Sequence, residues 1–286
     1  MKAALQAPPQ EAGILLTNWN WRGVREFVRQ RCHRELSASS CLNYLHRLGF
    51  VLKRPKKRLL KADAQKRDEF VALYARLRAE ADVTGAKIFF VDEAHFRADA
   101  DLRRQWVLRG EPALVDSSSP RLGDKVTRYS AVCVETGEVE EMAPEGNCTA
   151  ETSAAFLGQL RARHEEPLIV IWDNSPAHRG AAIREFLATP DLRLRLVPLP
   201  AYSPDYNADE AIWEWARQEV TANTCLGTVA KVDEKLGLFF EGLTSRADEV
   251  KRRCRTVLQT QADALIVTGA AMAHNPTHVD LTLGSV

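Results

Sequence analysis

The chain has 286 residues, 45% of them hydrophobic and 27% charged, which fits one or two folded domains and excludes a disordered protein. No apolar run approaches the ~18 residues of a membrane span and the start lacks a signal-peptide core, so neither a membrane partner nor secretion is expected. Six cysteines without a CxxC pair argue against structural zinc and point to a reducing, cytoplasmic setting.

The net charge of +1 hides an asymmetry. Between Arg22 and Glu80 there are 16 Lys/Arg against 6 Asp/Glu, whereas from residue 81 onward the acids lead by 31 to 22. A basic first part on an acidic second part suggests a nucleic-acid reader joined to something else. Residues 1–18 read as a ragged start, with Pro8-Pro9 discouraging a helix. From Arg22, Val24, Phe27 and Val28 fall on one helical face. A break follows at Arg34-Glu35-Leu36. Ser37 is placed to cap a second helix whose buried stripe is Cys41, Leu42, Leu45 and Leu48, with Gly49 closing it.

Two short helices with a tight turn have the plan of a helix-turn-helix. The second presents Ser39, Ser40, Asn43, Tyr44, His46 and Arg47, groups able to reach base edges or phosphates. Directly after it, Lys53, Arg54, Lys56, Lys57 and Arg58 surround Pro55. This run cannot build a core but can follow a phosphate backbone, so double-stranded DNA is the expected partner. Ala62–Glu80 reads as a further helix, with Phe70, Leu73, Tyr74 and Leu77 on its apolar side, linking the reader to the second part.

The second part opens with strands. Lys87–Asp92 is an apolar run typical of a buried strand. Trp106-Val107-Leu108 is followed by a turn signal. Tyr129–Val134 and Glu138–Met142 are two more strands around Thr136-Gly137. Glu151–His164 reads as a helix and Pro167–Asp173 as another buried strand. A helix over 177–188, a strand over Leu194–Val197 and a long helix from near Asn207 complete an α/β domain with a mixed sheet.

Two buried strands thus end in aspartates, Asp92 and Asp173. Charge at the end of an apolar strand is costly unless paired or coordinated, and strand ends of α/β sheets are where ligands bind. Two such carboxylates suit Mg²⁺ or Mn²⁺. Glu93 follows Asp92, but alternation sends neighbours to opposite faces, and Asp92 is assigned to the cleft. The third candidate is Glu210, with Asp209 and Glu214 as nearby alternatives. Asn207 and Glu210 also have the spacing of a capping box, which would spend Glu210 on a backbone N–H. The local pattern leaves both readings open.

Taken in order, Asp92-Glu93-Ala94-His95-Phe96, Asp173-Asn174-Ser175-Pro176-Ala177-His178 and Leu199-Pro200-x-Tyr202-Ser203-Pro204-x-x-Asn207-x-x-Glu210-x-x-Trp213 resemble a DDE transposase of the bacterial insertion-sequence branch of the mariner-like superfamily. The resemblance runs from about Trp19 to about Thr256 and implies an RNase H-like catalytic domain behind a small all-α helix-turn-helix domain. It implies two Mg²⁺ or Mn²⁺ ions per site on Asp92, Asp173 and Glu210, with Asn174, His178 and Asn207 in support. It also implies binding of element ends and of TA-containing target DNA, strand cleavage and strand transfer, and a homodimer or higher oligomer on the bacterial nucleoid. The alternatives are a decayed copy that only binds DNA and an RNase H-like nuclease that cleaves without joining.

The expected layout is a helix-turn-helix domain over 1–61, a helical linker over 62–83, the catalytic domain over 84–258 and a tail of unknown role over 259–286. Two departures from the family pattern stand out. Ala208 and Asp209 replace the usual Pro and aliphatic residue, which puts a fourth carboxylate beside the site, facing either the metals or solvent. The family also carries further DNA-binding sequence ahead of the part matched, so a shortened copy or fragment is expected.

Overall fold

The computed structural model describes residues 1–53, 61–117 and 125–268. The chain divides into two compact units, Met1–Arg58 and Leu59–Val286. In the first, α2 (Trp21–Cys32) is capped by Asn20, whose side chain accepts from the N–H groups of Arg22 and Gly23. His33, in the left-handed region at φ 50°, ends α2. α3 (Ala38–Arg47) starts at Ser37, whose hydroxyl accepts from Ser40 N as the sequence suggests.

Residues 1–18 differ from the expectation. They form α1 (Lys2–Gln6) and a single 3₁₀ turn over Pro9–Ala12. Leu5 and Ile14 are buried, and Leu5 joins Val24 and Cys41 in a small core ringed by Trp19, Trp21, Leu36, Leu45, Leu48 and Phe50. Proline stops a helix from running on but serves at its first turn, which is where Pro9 sits. Leu42 is exposed, not buried: a ten-residue helix on so small a core needs only the narrow stripe of Cys41, Leu45 and Leu48.

The second unit is built on a five-stranded mixed sheet of order β3-β2-β1-β4-β5. Its strands are β1 (Lys87–Arg97), β2 (Lys125–Val132), β3 (Val139–Met142), β4 (Leu168–Trp172) and β5 (Leu194–Pro198). β1–β2 and β2–β3 are antiparallel, whereas β1–β4 and β4–β5 are parallel. One face, carrying Phe89, Val91, Tyr129, Ala131, Val170 and Trp172, packs against α5 (Ala150–Arg163) and α6 (Ala181–Leu187). The other, carrying Ile88, Phe90, Phe96, Val132, Ile169 and Ile171, packs against a larger helical layer. That layer comprises α4 (Ala64–Thr84), α7 (Glu210–Ala216), α8 (Val229–Leu243), α9 (Ala247–Arg253) and α10 (Val257–Val267).

Two expectations change here. Residues 62–83 are not a linker: Phe70, Val71, Tyr74, Ala75 and Leu77 of α4 are buried in the same core as the sheet. The segment after Gln259 is not all tail: α10 lies along α4, with Leu258 and Ala262 fully buried. Arg78 bonds Asp263, and Gln259 reaches the Tyr74 hydroxyl. The remainder of the expected tail, 269–286, lies outside the described residues.

Leu258→Ala should therefore destabilise the protein by about 2–5 kcal/mol, the cost of a cavity in a packed core. Urea denaturation followed by tryptophan fluorescence measures it. A change below about 0.5 kcal/mol, the surface value, would mean that α10 is not part of the core.

Candidate active site

Strand register builds the site. β1 and β4 run parallel with Phe90 opposite Ile171, and both side chains face the helical layer of α4 and α7. Two residues further along each chain stand Asp92 and Asp173. Strand periodicity gives them the same level and the same face. They line a cavity of about 380 Å³ together with Glu210, Asn207 and the segment Leu199–Pro204.

Glu210 enters from the first turn of α7. The sequence left a capping box open, and the structure removes it: α7 begins after Asp209 without any side-chain cap. Asn207 instead accepts from Asp209 N at 3.2 Å and donates to Val91 O at 3.0 Å. It thereby ties the entry of α7 to the residue just before Asp92. Glu214 is engaged elsewhere, in a two-bond pair with Arg103 at 2.8 and 3.0 Å.

Glu93 points to the opposite face from Asp92, as alternation requires. There its Oε1 accepts from His178 Nε2 at 2.6 Å, and its Oε2 lies 3.4 Å from Trp172 Nε1. His178 Nδ1 stands 2.7 Å from Asp173 Oδ1, and the ring stacks on Trp172 with centroids 3.8 Å apart. Burial disfavours the imidazolium, but the bonds to Asp173 and Glu93 outweigh it and raise His178 to about 9. His178 donates to both carboxylates, and that bond keeps Asp173 ionised below the usual carboxylate range. Ser175 N also donates to Asp173 Oδ1. Asn174 Nδ2 donates to Leu199 O at 2.5 Å and Asn174 Oδ1 accepts from Arg179, fastening the loop after β4 to the loop after β5.

The other acids are held with less compensation. Burial, then the charges of Glu210 and Glu93, push Asp92 well above its ordinary pKa. Burial also raises Glu210, with Arg217 opposing. Asp209 faces neither solvent nor the cavity: it is fully buried, behind the site. Its Oδ1 accepts from Ser130 Oγ at 2.9 Å, while Oδ2 has no partner among the described residues. Ser130 is the cross-strand partner of Asp92. Burial, then the Asp92 charge, raise the Asp209 pKa far above the usual range.

Among the described residues no Lys or Arg lines the cavity, and of the three carboxylates that share it only Asp173 bonds a cationic side chain, His178. Hard oxygen donors in this setting suit a divalent ion. As placed, no three described His, Cys, Asp or Glu side chains stand close enough together to hold one ion. The bonds that occupy Asp173 fall on its Oδ1.

In the first unit, Ser39, Asn43, Tyr44, His46, Arg47 and Lys53 are exposed, whereas Ser40 is half-buried with its hydroxyl 2.9 Å from Ser37 Oγ. Arg54, Lys56, Lys57 and Arg58 lie outside the described residues. Sequence reasoning missed the Glu93–His178–Asp173 chain and the depth of Asp209. Glu93 had been set aside once alternation turned it from the cleft. The available signal was that an acid facing an apolar layer needs a partner there.

Residues 87–232 match the profile of the DDE superfamily endonuclease family, and residues 17–73 match that of the winged helix-turn-helix. The chain is 22% identical over 248 residues to the insertion element IS630 uncharacterized 39 kDa protein of Shigella sonnei, spanning 84% of this chain and 69% of that one. In fold it is similar to the mariner Mos1 paired end complex with Mg, with a TM-score of 0.64 at 18% identity, over 94% of this chain and 78% of that one. It is also similar to the Mos1 strand transfer complex, with a TM-score of 0.58 at 18% identity, over 92% and 78%.

The Ser130–Asp209 pair gives a direct test of the electrostatics. Ser130→Ala strips the last bond from a buried carboxyl and should cost about 1–3 kcal/mol in metal-free protein. The double change Ser130→Ala with Asp209→Leu should return stability to the starting level or above, since both polar partners are then gone. Denaturation in EDTA decides it: a double variant less stable than Ser130→Ala would show that Asp209 is stabilising in itself.

Proposed function

We propose that this chain, which belongs to the DDE superfamily endonucleases, is a DNA transposase that cuts and joins strands at the ends of a bacterial insertion element. The observation that carries the reading is the meeting of Asp92, Asp173 and Glu210 on one cavity, from the middle of β1, the residue after the parallel strand β4 and the first turn of α7. Two divalent ions, Mg²⁺ or Mn²⁺, supply there the polarisation of the attacking oxygen and the stabilisation of the leaving 3′-oxygen in an in-line displacement at phosphorus.

The chain's own residues do the rest. Asp92, Asp173 and Glu210 offer oxygens from two walls of the cavity. His178 fixes the orientation of Asp173 and is itself fixed by Glu93, an outer-shell role that typically matters 10–100-fold. Asn174 and Asn207 hold the two loops and α7 in register with β1. Water as the nucleophile gives cleavage; a DNA 3′-hydroxyl gives joining.

An acidic cavity repels a polyanion, so the affinity for DNA has to come from elsewhere. The basic first unit is the source, with Asn43, Tyr44 and Arg47 of α3 reading base edges and Lys53 with the following cations neutralising phosphates. Two element ends need two sites, which calls for a homodimer or higher oligomer on DNA. No helix among the described residues is long and apolar enough to cross a membrane, and the reading places the protein on the bacterial nucleoid.

With a duplex carrying the inverted repeats that flank its gene, the protein should nick in Mn²⁺ and not in EDTA, and should join pre-cleaved 3′-ends to target DNA. Asp92→Asn and Glu210→Gln should each lose more activity than His178→Ala, for which about 10–100-fold is expected. Glu93→Gln, which keeps an acceptor for His178, should lose least. Cleavage without joining would reduce the function to that of a nuclease, and retention of cleavage in Glu210→Gln would remove it from the ligand set.

Binding should weaken steeply with salt. Lys53→Ala should reduce the slope of log K against log salt by about 0.9 and weaken all duplexes alike. Arg47→Ala should instead narrow the gap between the element end and unrelated DNA. Equal effects of the two on both quantities would contradict this assignment of α3.

A further inference from the structure

The lining of the cavity carries a feature that metal chemistry does not use. Tyr202 lines the cavity, its backbone is in the left-handed region at φ 57°, and its ring is 51% exposed. A bulky residue in that conformation is strained, and strain of this kind persists only where the surroundings enforce it. The surroundings do so. Leu199 N donates to Trp172 O at 2.7 Å, Ser203 is buried, and Pro200 and Pro204 restrict the backbone on either side. Tyr206 stacks on Phe70, lies under Arg67 and bonds Gln261.

The ring itself contributes nothing to the core. Tyr202 belongs to neither apolar cluster of the second unit. Among the described residues its hydroxyl makes no hydrogen bond, and Lys61 Nζ lies 5.7 Å from the ring centroid. A rigid loop thus holds a flat, neutral, half-exposed face at the rim of an acidic cavity, with a cation beside it. Nucleic acid near three carboxylates cannot be held there by its phosphates alone. A base can stack on an aromatic face at no electrostatic cost, while its phosphate turns to the lysine.

We infer that Tyr202 and Lys61 form a nucleobase subsite, which stacks the base next to the scissile phosphodiester and so positions that bond over Asp92, Asp173 and Glu210. This rests on the nuclease reading above and adds to it a positioning residue and the class of its ligand.

Photo-crosslinking with the full-length protein tests it. The probe is a short duplex ending in a three-nucleotide 3′-overhang that carries one 5-iododeoxyuridine, irradiated in EDTA and mapped by mass spectrometry. The crosslink should fall on Tyr202, and Tyr202→Phe should keep it. Tyr202→Gly removes the ring and relieves the left-handed strain, so it should lower the crosslink about tenfold or more while Tm stays level or rises. Lys61→Ala should weaken the crosslink without moving its position. A crosslink that maps elsewhere, an undiminished yield in Tyr202→Gly, or a fall in its Tm would each overturn the subsite, the last by making the ring a structural element. Nicking of plasmid DNA in Mn²⁺ by the unaltered protein is measured alongside. Nicking without a Tyr202 crosslink sinks the subsite alone; a Tyr202 crosslink without nicking sinks the nuclease reading alone.

Discussion

Everything at the cavity depends on two parallel strands side by side, with Asp92 in the middle of β1, which runs on to Arg97 rather than ending there, and Asp173 directly after the end of β4. The β1–β4 register places Asp92 beside Asp173, and α7 then adds Glu210 to the same space. Three like charges at the edge of an apolar core repel one another more strongly than they would in water. The surrounding bonds answer that repulsion unevenly. Asp173 receives an imidazolium and a backbone N–H, whereas Asp92 receives no counter-charge and is driven toward its neutral form. The site is therefore asymmetric before any ion arrives: one carboxylate is fixed and charged, and two are crowded.

Much of this was legible in the sequence because its causes are local. An apolar run closed by an aspartate, a serine directly after Leu36 and strand alternation at Asp92-Glu93 all report on neighbours close in the chain. Ser37 caps α3 and Glu93 turns from the cavity for those reasons. The spacing of Asn207 and Glu210 could not be settled locally. A capping box and a tertiary anchor share the same spacing, and only Val91 O, more than a hundred residues away, distinguishes them. The helix of residues 62–83 was visible in its periodicity, but an amphipathic face does not name its partner. The partner is a sheet and a helix, α10, from the far end of the chain. Leu5 and Ile14 were hidden by the prolines between them, although a proline at a first turn is compatible with a packed start.

The two departures at Ala208 and Asp209 show how a substitution can be absorbed without reaching the cavity. Ala208 is buried against the core. Asp209 is fully buried beside Ser130. The chain accommodates it by giving one oxygen to Ser130, and burial pushes its pKa well above the usual carboxylate range. Its bond to Ser130, the cross-strand partner of Asp92, couples the back of the site to its front.

The Glu93–His178 contact has a consequence for how such a site can change over generations. Both side chains are enclosed, at 13% and 3% exposure, and each supplies the charge that the other requires. Loss of His178 leaves Glu93 as an enclosed acid without a cation, and loss of Glu93 leaves the imidazolium half-compensated beneath Trp172. A single apolar replacement at either position leaves the other's charge enclosed with less compensation, whereas Gln at position 93 keeps an acceptor for His178. Each position thus constrains what the other can accept, eighty-five places apart in the chain. The indole of Trp172, a core side chain stacked on His178, sets the shape any replacement pair would have to fill.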